Sequence, residues 1–284
     1  MKIAVLTDIH ANWVAFQAVL EDMHAWKPDK VIIGGDLVNR GPRPREVLDY
    51  VLEQEREQGW IVVRGNHEDY VIKQANPSHP KSGPAFEVHK ASFWTCQQLH
   101  CDVSVLQQMP FQRSLIGPDG QEVRAVHASM RGIRAGIYPE TSDRDLAKLI
   151  EDREQAPPEV LVVGHTHRPL VRSLNGTLVV NAGSAGLPFD GDTRPSYAQL
   201  TFRGGKWKAA IQRVPYDLQA AERDFYESGY VEGAGPLVQL VLVELLYARS
   251  QLYNWSVRYQ DRATRGEISM EESVRRRLEK LDLI

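Results

Sequence analysis

A pattern repeated three times in the first 75 residues constrains this chain most: a short β-branched apolar run, a polar loop, then apolar residues at helical spacing. Lys2 to Thr7 stops in a polar cluster, and Trp13 to Trp26 follows with Val14, Phe16, Val19, Leu20 and Met23 in helical register. Val31 to Ile33 runs into GGDLVNRGPRP, after which Pro44 opens a helix through Val47, Leu48, Val51 and Leu52. Trp60 to Val63 reads as the third strand and runs into RGNHEDY. Three strand, loop, helix units in series predict a parallel sheet flanked by helices, with the loops at its carboxyl ends sharing one crevice.

The alternation breaks between about residues 76 and 110, where Pro and Gly punctuation precedes a helical stretch through Phe86, Ala91, Trp94 and Leu99; this reads as an inserted helical cap. Phe111 to Ile116, a Pro-Asp-Gly turn and Val123 to Val126 predict a hairpin. Ser142 to Glu154 reads as a helix, and Val160 to Val163 as a buried strand entering GHTH. Leu170 to Leu174 and Thr177 to Val180 flank an Asn-Gly turn, and Tyr197 to Val214 forms a further hairpin around Gly204-Gly205. The economical architecture is therefore an α/β fold of α+β-like character, a four-layer α/β/β/α sandwich of two mixed sheets with helices outside. One domain over residues 1–215 is expected, followed by a helical extension over 216–284. Within the extension, Leu237 to Leu246 is too short to span a bilayer and reads as a core helix or an oligomer contact, so a homo-oligomer through the C-terminal helices is one expectation.

With 42% hydrophobic and 25% charged residues over 284 positions, the composition is that of a folded globular protein and excludes disordered and collagen-like chains. A net charge of −3 supplies no global basic field, so neither nucleic-acid binding nor a nuclease is expected. Asp8 interrupts the opening run too early for a signal-peptide core, which makes a cytoplasmic protein with no membrane partner the expectation. Cys96 and Cys101 cannot make a disulfide framework and suit a reducing compartment; a zinc site using the intervening His100 would lack its four ligands.

The chemistry lies where the strands stop. Asp8 and His10 follow the first strand, Asp36 the second, and Asn66 and His67 the third; His127, then His165 and His167, follow later ones. Five of the nine histidines thus share the place where layered α/β folds form ligand sites. If the backbone is extended, residues two apart point to one side, so Asp8 and His10 converge, as do His165 and His167. Carboxylate, amide and imidazole without thiolate suit manganese, iron or zinc, and Asp36 could bridge two ions through its two oxygens.

These blocks, D-I-H-A-N at Asp8, G-D-L-V-N-R-G at Gly35, G-N-H-E at Gly65, His127 and G-H-T-H at Gly164, resemble the calcineurin-like metallophosphoesterase superfamily in its signature order. N-A-G-S-A-G-L-P at Asn181 resembles the family's small-residue loop and extends the likeness to about Pro215. The resemblance implies a metallophosphoesterase catalytic domain over 1–215 in which Asp8, His10 and His167 hold one divalent metal, Asn66, His127 and His165 a second, and Asp36 bridges them. Manganese is the first expectation, with iron, zinc, nickel or magnesium as alternatives. It further implies hydrolysis of a phosphate ester by a metal-bridging hydroxide, with His67 as the acid for the leaving oxygen or, in the plainer reading, a hydrogen-bonding neighbour of the ligands. Arg40 sits in a block like that of Ser/Thr protein phosphatases and symmetrical diadenosine tetraphosphate hydrolases, where the matching arginine binds phosphate; a solvated loop arginine is the alternative. Asn39 replaces the aspartate usual there, which weakens the acid role of His67 or implies a better leaving group.

Asn12 is open between a phosphate contact, support of His10, and capping of the first helix. His79, His89, Trp94 and His100 of the insertion could touch a leaving group, although packing explains Trp94 more cheaply. The D-I-H-A-N block and the small-residue loop resemble broad-specificity bacterial phosphodiesterases, whereas the arginine block favours a phosphomonoester or dinucleoside polyphosphate, so nucleotides, small molecules and phosphopeptides all remain as substrates. A non-catalytic scaffold on the same fold, binding through its helical tail, is the alternative of another class.

Overall fold

The three sequence units fold as β1 (Lys2–Leu6), α1 (Trp13–Trp26), β2 (Lys30–Ile33), α2 (Pro44–Gln58), β3 (Ile61–Val62) and α3 (Asn66–Ala75). The computed structural model describes residues 1–76, 78, 80–152, 154–281 and 283. Local chemistry sets the helix limits. Asn12 caps α1 by accepting the Ala15 N–H, Pro44 occupies the first turn of α2, and left-handed Lys27 and Gly59 end the two helices.

The insertion supplies α4 (Pro84–Glu87), α5 (Lys90–Gln98) and α6 (Ser104–Gln108), of which α5 and α6 pack on α3. Beyond it come β4 (Gln112–Ile116), β5 (Glu122–Val126), α7 (Asp143–Ile150), β6 (Val160–Val163), β7 (Leu170–Leu174), β8 (Thr177–Asn181), β9 (Ser196–Arg203) and β10 (Lys206–Arg213). One sheet has the order β10-β9-β1-β2-β3 and the other β4-β5-β6-β8-β7. Each is mixed: β1, β2 and β3 run parallel, β9 pairs antiparallel with β1 and β10 antiparallel with β9, and β5, β6 and β8 run parallel between antiparallel β4 and β7.

Strand alternation builds the layers. Ile3, Val5 and Ile32 point inward to meet Val123, Ala125, Val160 and Val162 of the facing sheet. Their neighbours Ala4, Leu6 and Ile33 point outward to Phe16, Val19, Leu20 and Met23 of α1, each of which contributes roughly 1.5–3 kcal/mol on full burial. On the far side, Leu161, Val163 and Val179 meet Leu146 and Ile150 of α7. The result is the expected helix, sheet, sheet, helix stack.

The C-terminal extension is α8 (Leu218–Glu227), α9 (Tyr230–Gly233), α10 (Val238–Tyr247), α11 (Leu252–Trp255), a π-helical turn at Ser256–Gln260, α12 (Asp261–Thr264) and α13 (Met270–Glu279). Apolar on all sides, α10 is buried within its own chain: Val238, Val241 and Leu245 pack with Phe225 of α8 and Trp94 of α5, and Leu240 packs with Trp255 and Val274. Among the described residues no helix is long and apolar enough to cross a membrane.

One expectation changes. Cys96 and Cys101, read from their number as reduced thiols, are joined in a disulfide. Past the end of α5, His100 and Cys101 take left-handed φ of 53° and 50°, which folds the chain back and brings the two Cα atoms to 4.5 Å. A count of cysteines carries no information about such a turn.

Candidate metal centre

Parallel pairing continues past the strand ends and holds the loops in register. The Asp8, His10 and Ala11 N–H groups donate to the carbonyls of Gly35, Asp36 and Leu37, and Gly164 donates to the His127 carbonyl across the second sheet. Two glycines permit the close approach: a Cβ on Gly65 would lie 2.1 Å from an Asp36 carboxylate oxygen, and one on Gly186 would lie 1.8 Å from the Ile9 carbonyl. The small-residue loop is tied in by Ser184, whose hydroxyl donates to the Asp8 carbonyl at 2.6 Å and accepts from the Gly186 and Leu187 N–H groups.

The ligand residues are not extended. Asp8, His10, Asp36, His165 and His167 have φ of 54°, 51°, 55°, 67° and 55°, in the left-handed region that non-glycine residues avoid. Asp8 and His10 do converge, through kinks at the end of β1 and not through strand alternation, whereas His165 and His167, kinked likewise after β6, part into two different donor groups. Such strain persists only where surrounding structure over-determines it, and it concentrates at functional sites.

All seven predicted metal residues meet. Asp8, His10, Asp36 and His167 form one group and Asp36, His127 and His165 another, with ligand atoms in each group within 4.8 Å of one another. Asn66 completes the second, its Oδ1 lying 3.1 Å from His127 Nε2 and 2.8 Å from His165 Nδ1. Asp36 belongs to both groups. Its Oδ2 is 3.7 Å from His10 Nε2 and 3.3 Å from His127 Nε2, while Oδ1 accepts the His67 N–H at 2.8 Å.

Imidazole hydrogen bonding identifies what these atoms await. His10 Nδ1 faces the Asn39 carbonyl and His167 Nδ1 the Leu187 carbonyl, so each ring carries its proton there. Their bare Nε2 atoms then face each other at 3.1 Å, lone pair to lone pair. His127 likewise donates through Nδ1 to the Gly34 carbonyl at 2.8 Å. Converging acceptors with outward-pointing donors repel one another unless a cation lies between them, so the residues present fit divalent metal.

Electrostatics agree. Burial takes His10 down to about 3 and His165 to about 4, and holds His67 and His167 well below the usual imidazole value, keeping all four neutral. Burial also pushes Asp8 up to about 7. Asp36 is different: burial alone would raise it, but His127 and His67 hold it well below the carboxylate range. Burial acts to lower His127, yet Asp36 overrides it and lifts that ring to about 10, so the centre of the site draws positive charge even from a proton.

The pocket over these residues measures about 590 Å³ and is lined by Asp36, Asn66, His67, His165, His167 and Arg40, among others. Arg40 is positioned from beneath by Glu244 of α10, whose Oε2 lies 3.8 Å from its guanidinium. His67 accepts at Nδ1 from the Asn39 amide at 2.9 Å. That amide is oriented by the Arg40 N–H donating to Asn39 Oδ1 at 2.9 Å, so the ring proton of His67 is on Nε2.

Asn12 does not line the pocket; its Oδ1 caps α1 and its amide donates to the Gly186 carbonyl at 2.8 Å. Trp94 packs in the core against Tyr230, and exposed His100 pairs with Arg45. His89 lines a neighbouring cavity, and His79 lies outside the described residues.

Sequence reading passed over Glu68, Glu244 and Phe189. Buried Glu68 accepts the N–H groups of Asp36, Leu37 and Gly65 at 2.7–2.9 Å and fixes the loop that carries the carboxylate shared by the two donor groups. Its signal was present as the glutamate at the third position of α3, where a capping box reaches back to the preceding loop. Phe189 stacks on His167 at 4.1 Å, and neither it nor Glu244 falls within a block that advertises chemistry.

Residues 1–205 match the family model described as a calcineurin-like phosphoesterase superfamily domain. The chain is 26% identical over 251 residues to the uncharacterized protein MJ0912 of Methanocaldococcus jannaschii, covering 82% of this chain and 95% of that one. Its structure is similar to that of a metallophosphoesterase from Sphaerobacter thermophilus, with TM-score 0.66 and 29% identity over 87% of this chain and 100% of the other. It shares its fold with the hypothetical protein PH1004 from Pyrococcus horikoshii OT3, with TM-score 0.71 and 23% identity over 88% and 99% of the two chains. A match over most of its length, together with an Asp/His cluster built to hold metal, places this chain in the calcineurin-like phosphoesterase superfamily.

Proposed function

We propose that the protein is a dinuclear-metal phosphohydrolase acting on a phosphate ester, with Asp8, His10 and His167 holding one divalent cation, Asn66, His127 and His165 a second, and Asp36 shared between them. The observation that carries the proposal is the pair of donor groups joined at one carboxylate beside a pocket, with the bare Nε2 atoms of His10 and His167 facing each other in one of them. Cations held there, manganese foremost, would acidify water and offset charge developing on phosphoryl oxygens.

The remaining roles follow from this chain's own groups. Arg40 presents a planar guanidinium at the pocket wall, suited to two phosphoryl oxygens at once, and Glu244 behind it restricts its rotamers. His67 would hydrogen-bond the leaving oxygen through Nε2–H. Because an amide and not a carboxylate faces its Nδ1, the imidazolium form has no partner there. His67 therefore stabilises a leaving group more than it protonates one, which favours esters whose leaving oxygen departs as a stable anion.

The test is the purified protein loaded with manganese and offered an aryl monoester, an aryl diester, cyclic nucleotides and diadenosine tetraphosphate, beside Asp36→Asn. Turnover of at least one ester, lost together with cation binding in the variant, is expected. Absence of cation binding by calorimetry in the wild-type protein would overturn the proposal.

A further inference from the structure

A second cavity of about 460 Å³ adjoins the first, and Arg40, His67, Tyr70 and Tyr253 line both. It lies between the insertion, which contributes His89, Ala91 and Ser92, and the C-terminal extension, which contributes Leu237, Val241, Leu252 and Trp255. Its character contrasts with that of the metal pocket. Among the described residues that line it no carboxylate occurs, and its one arginine, Arg40, stands at the seam with the first cavity. Aliphatic and aromatic side chains make up most of the wall, with Asn39, His89, Ser92, Ser256 and Gln260 as polar points on it, so a ring with few polar atoms fits it better than a second phosphate.

Two further features mark it as a ligand site. Tyr230 is fully buried on its wall, and the hydroxyl has no hydrogen-bond partner, a costly arrangement unless something else supplies one. The π-helical turn Ser256–Gln260, a rare element that concentrates at functional sites, contributes Ser256 and Gln260 to the lining.

We propose that this cavity receives the leaving group of the substrate, and that the leaving group is a flat, uncharged, mainly apolar ring system with a polar atom within reach of Tyr230. The inference rests on the phosphoester reading above and narrows it: the phosphoryl group lies in the first cavity under Arg40, and the ring extends past His67 into the second. The cavity falls within the range of about 300–1,000 Å³ typical of small-molecule pockets.

The test compares two ligands that cannot be hydrolysed, methylphosphonate and 1-naphthylmethylphosphonate, by titration calorimetry on the manganese-loaded full chain. The naphthyl ligand should bind about tenfold or more tightly than the methyl one. Ala91→Trp, which fills the cavity from α5, should abolish that preference while leaving methylphosphonate affinity unchanged. Leu252→Ala, which removes a wall from the opposite side, should reduce it if Ala91→Trp does not fold. Equal affinity of the wild-type protein for both ligands overturns the proposal alone. Failure of both ligands to bind, with no ester cleaved, overturns the phosphoester reading and the proposal together. Wild-type protein that is dimeric by light scattering, and monomeric after Ala91→Trp, assigns the cavity to a second copy of the chain and likewise overturns it.

Discussion

At the residue scale, the geometry of the Asp, His and Asn cluster depends on side chains that bond to loop backbone as well as on its own members. Glu68 accepts on both carboxyl oxygens the N–H groups that aim Asp36, so Glu68→Gln, which leaves one acceptor oxygen, should lower stability by about 1–3 kcal/mol. It should also weaken cation affinity about tenfold; urea unfolding of the metal-free protein and a manganese titration would check both effects. On the proposed reading, Asn39 sets how far His67 could act as an acid. Asn39→Asp places an acceptor at Nδ1 and stabilises the imidazolium, so turnover of alkyl phosphates should rise relative to aryl phosphates, by about tenfold or more. An unchanged alkyl-to-aryl ratio would remove His67 from the leaving-group side. The seven residues of the cluster were legible because five of the nine histidines, with Asp8, Asp36 and Asn66, gather where strands stop. Glu68 was less so, since a glutamate in a first helical turn reads equally well as a plain cap.

At the element scale, the C-terminal extension reaches into the site through α10. Glu244 is fully buried, one oxygen accepting the Gln251 and Leu252 N–H groups and the other facing Arg40 without a hydrogen bond. Burial raises its pKa above the ordinary 4.5, more than Arg40 lowers it. A carboxyl whose folded value lies above its unfolded one contributes fully below the unfolded value, and the contribution is lost as pH rises through the folded value. The stability of the wild-type protein relative to Glu244→Gln should therefore shrink as pH is raised from about 4 to about 8, read as converging urea midpoints. The same variant should raise KM for the ester while changing kcat less, because Arg40 loses its support and the metal groups do not. The helical character of the extension was readable from its apolar spacing, while the limits of its helices, such as the Asp217 and Ser269 caps, came from the structure. That α10 would turn Glu244 toward Arg40 was not readable, because residues some 200 positions apart leave no local pattern.

At the scale of the molecule, two mixed sheets stack so that the carboxyl ends of β1, β2 and β3 open on the same crevice as those of β5 and β6. A cation bound across that seam ties both sheets to the folded state alone. Saturating it at a hundredfold over Kd adds about 2.7 kcal/mol, so chelation should lower the melting temperature by roughly 5–10 °C, reversibly on re-addition of manganese, by scanning fluorimetry. An unchanged melting temperature would mean that the cluster holds no metal in solution.

The sequence by itself determined the strand and helix alternation, the two-sheet architecture and which Asp, His and Asn residues gather at the strand ends, because apolar periodicity and ligand chemistry are local properties of the chain. Only the tertiary structure decided the left-handed kinks that aim those residues, the disulfide after α5, the Glu244 support beneath Arg40 and the apolar chamber beside the metal pocket. Each of these depends on which distant segments pack together, and the free energy that selects that packing is shared among contacts no single stretch of residues contains.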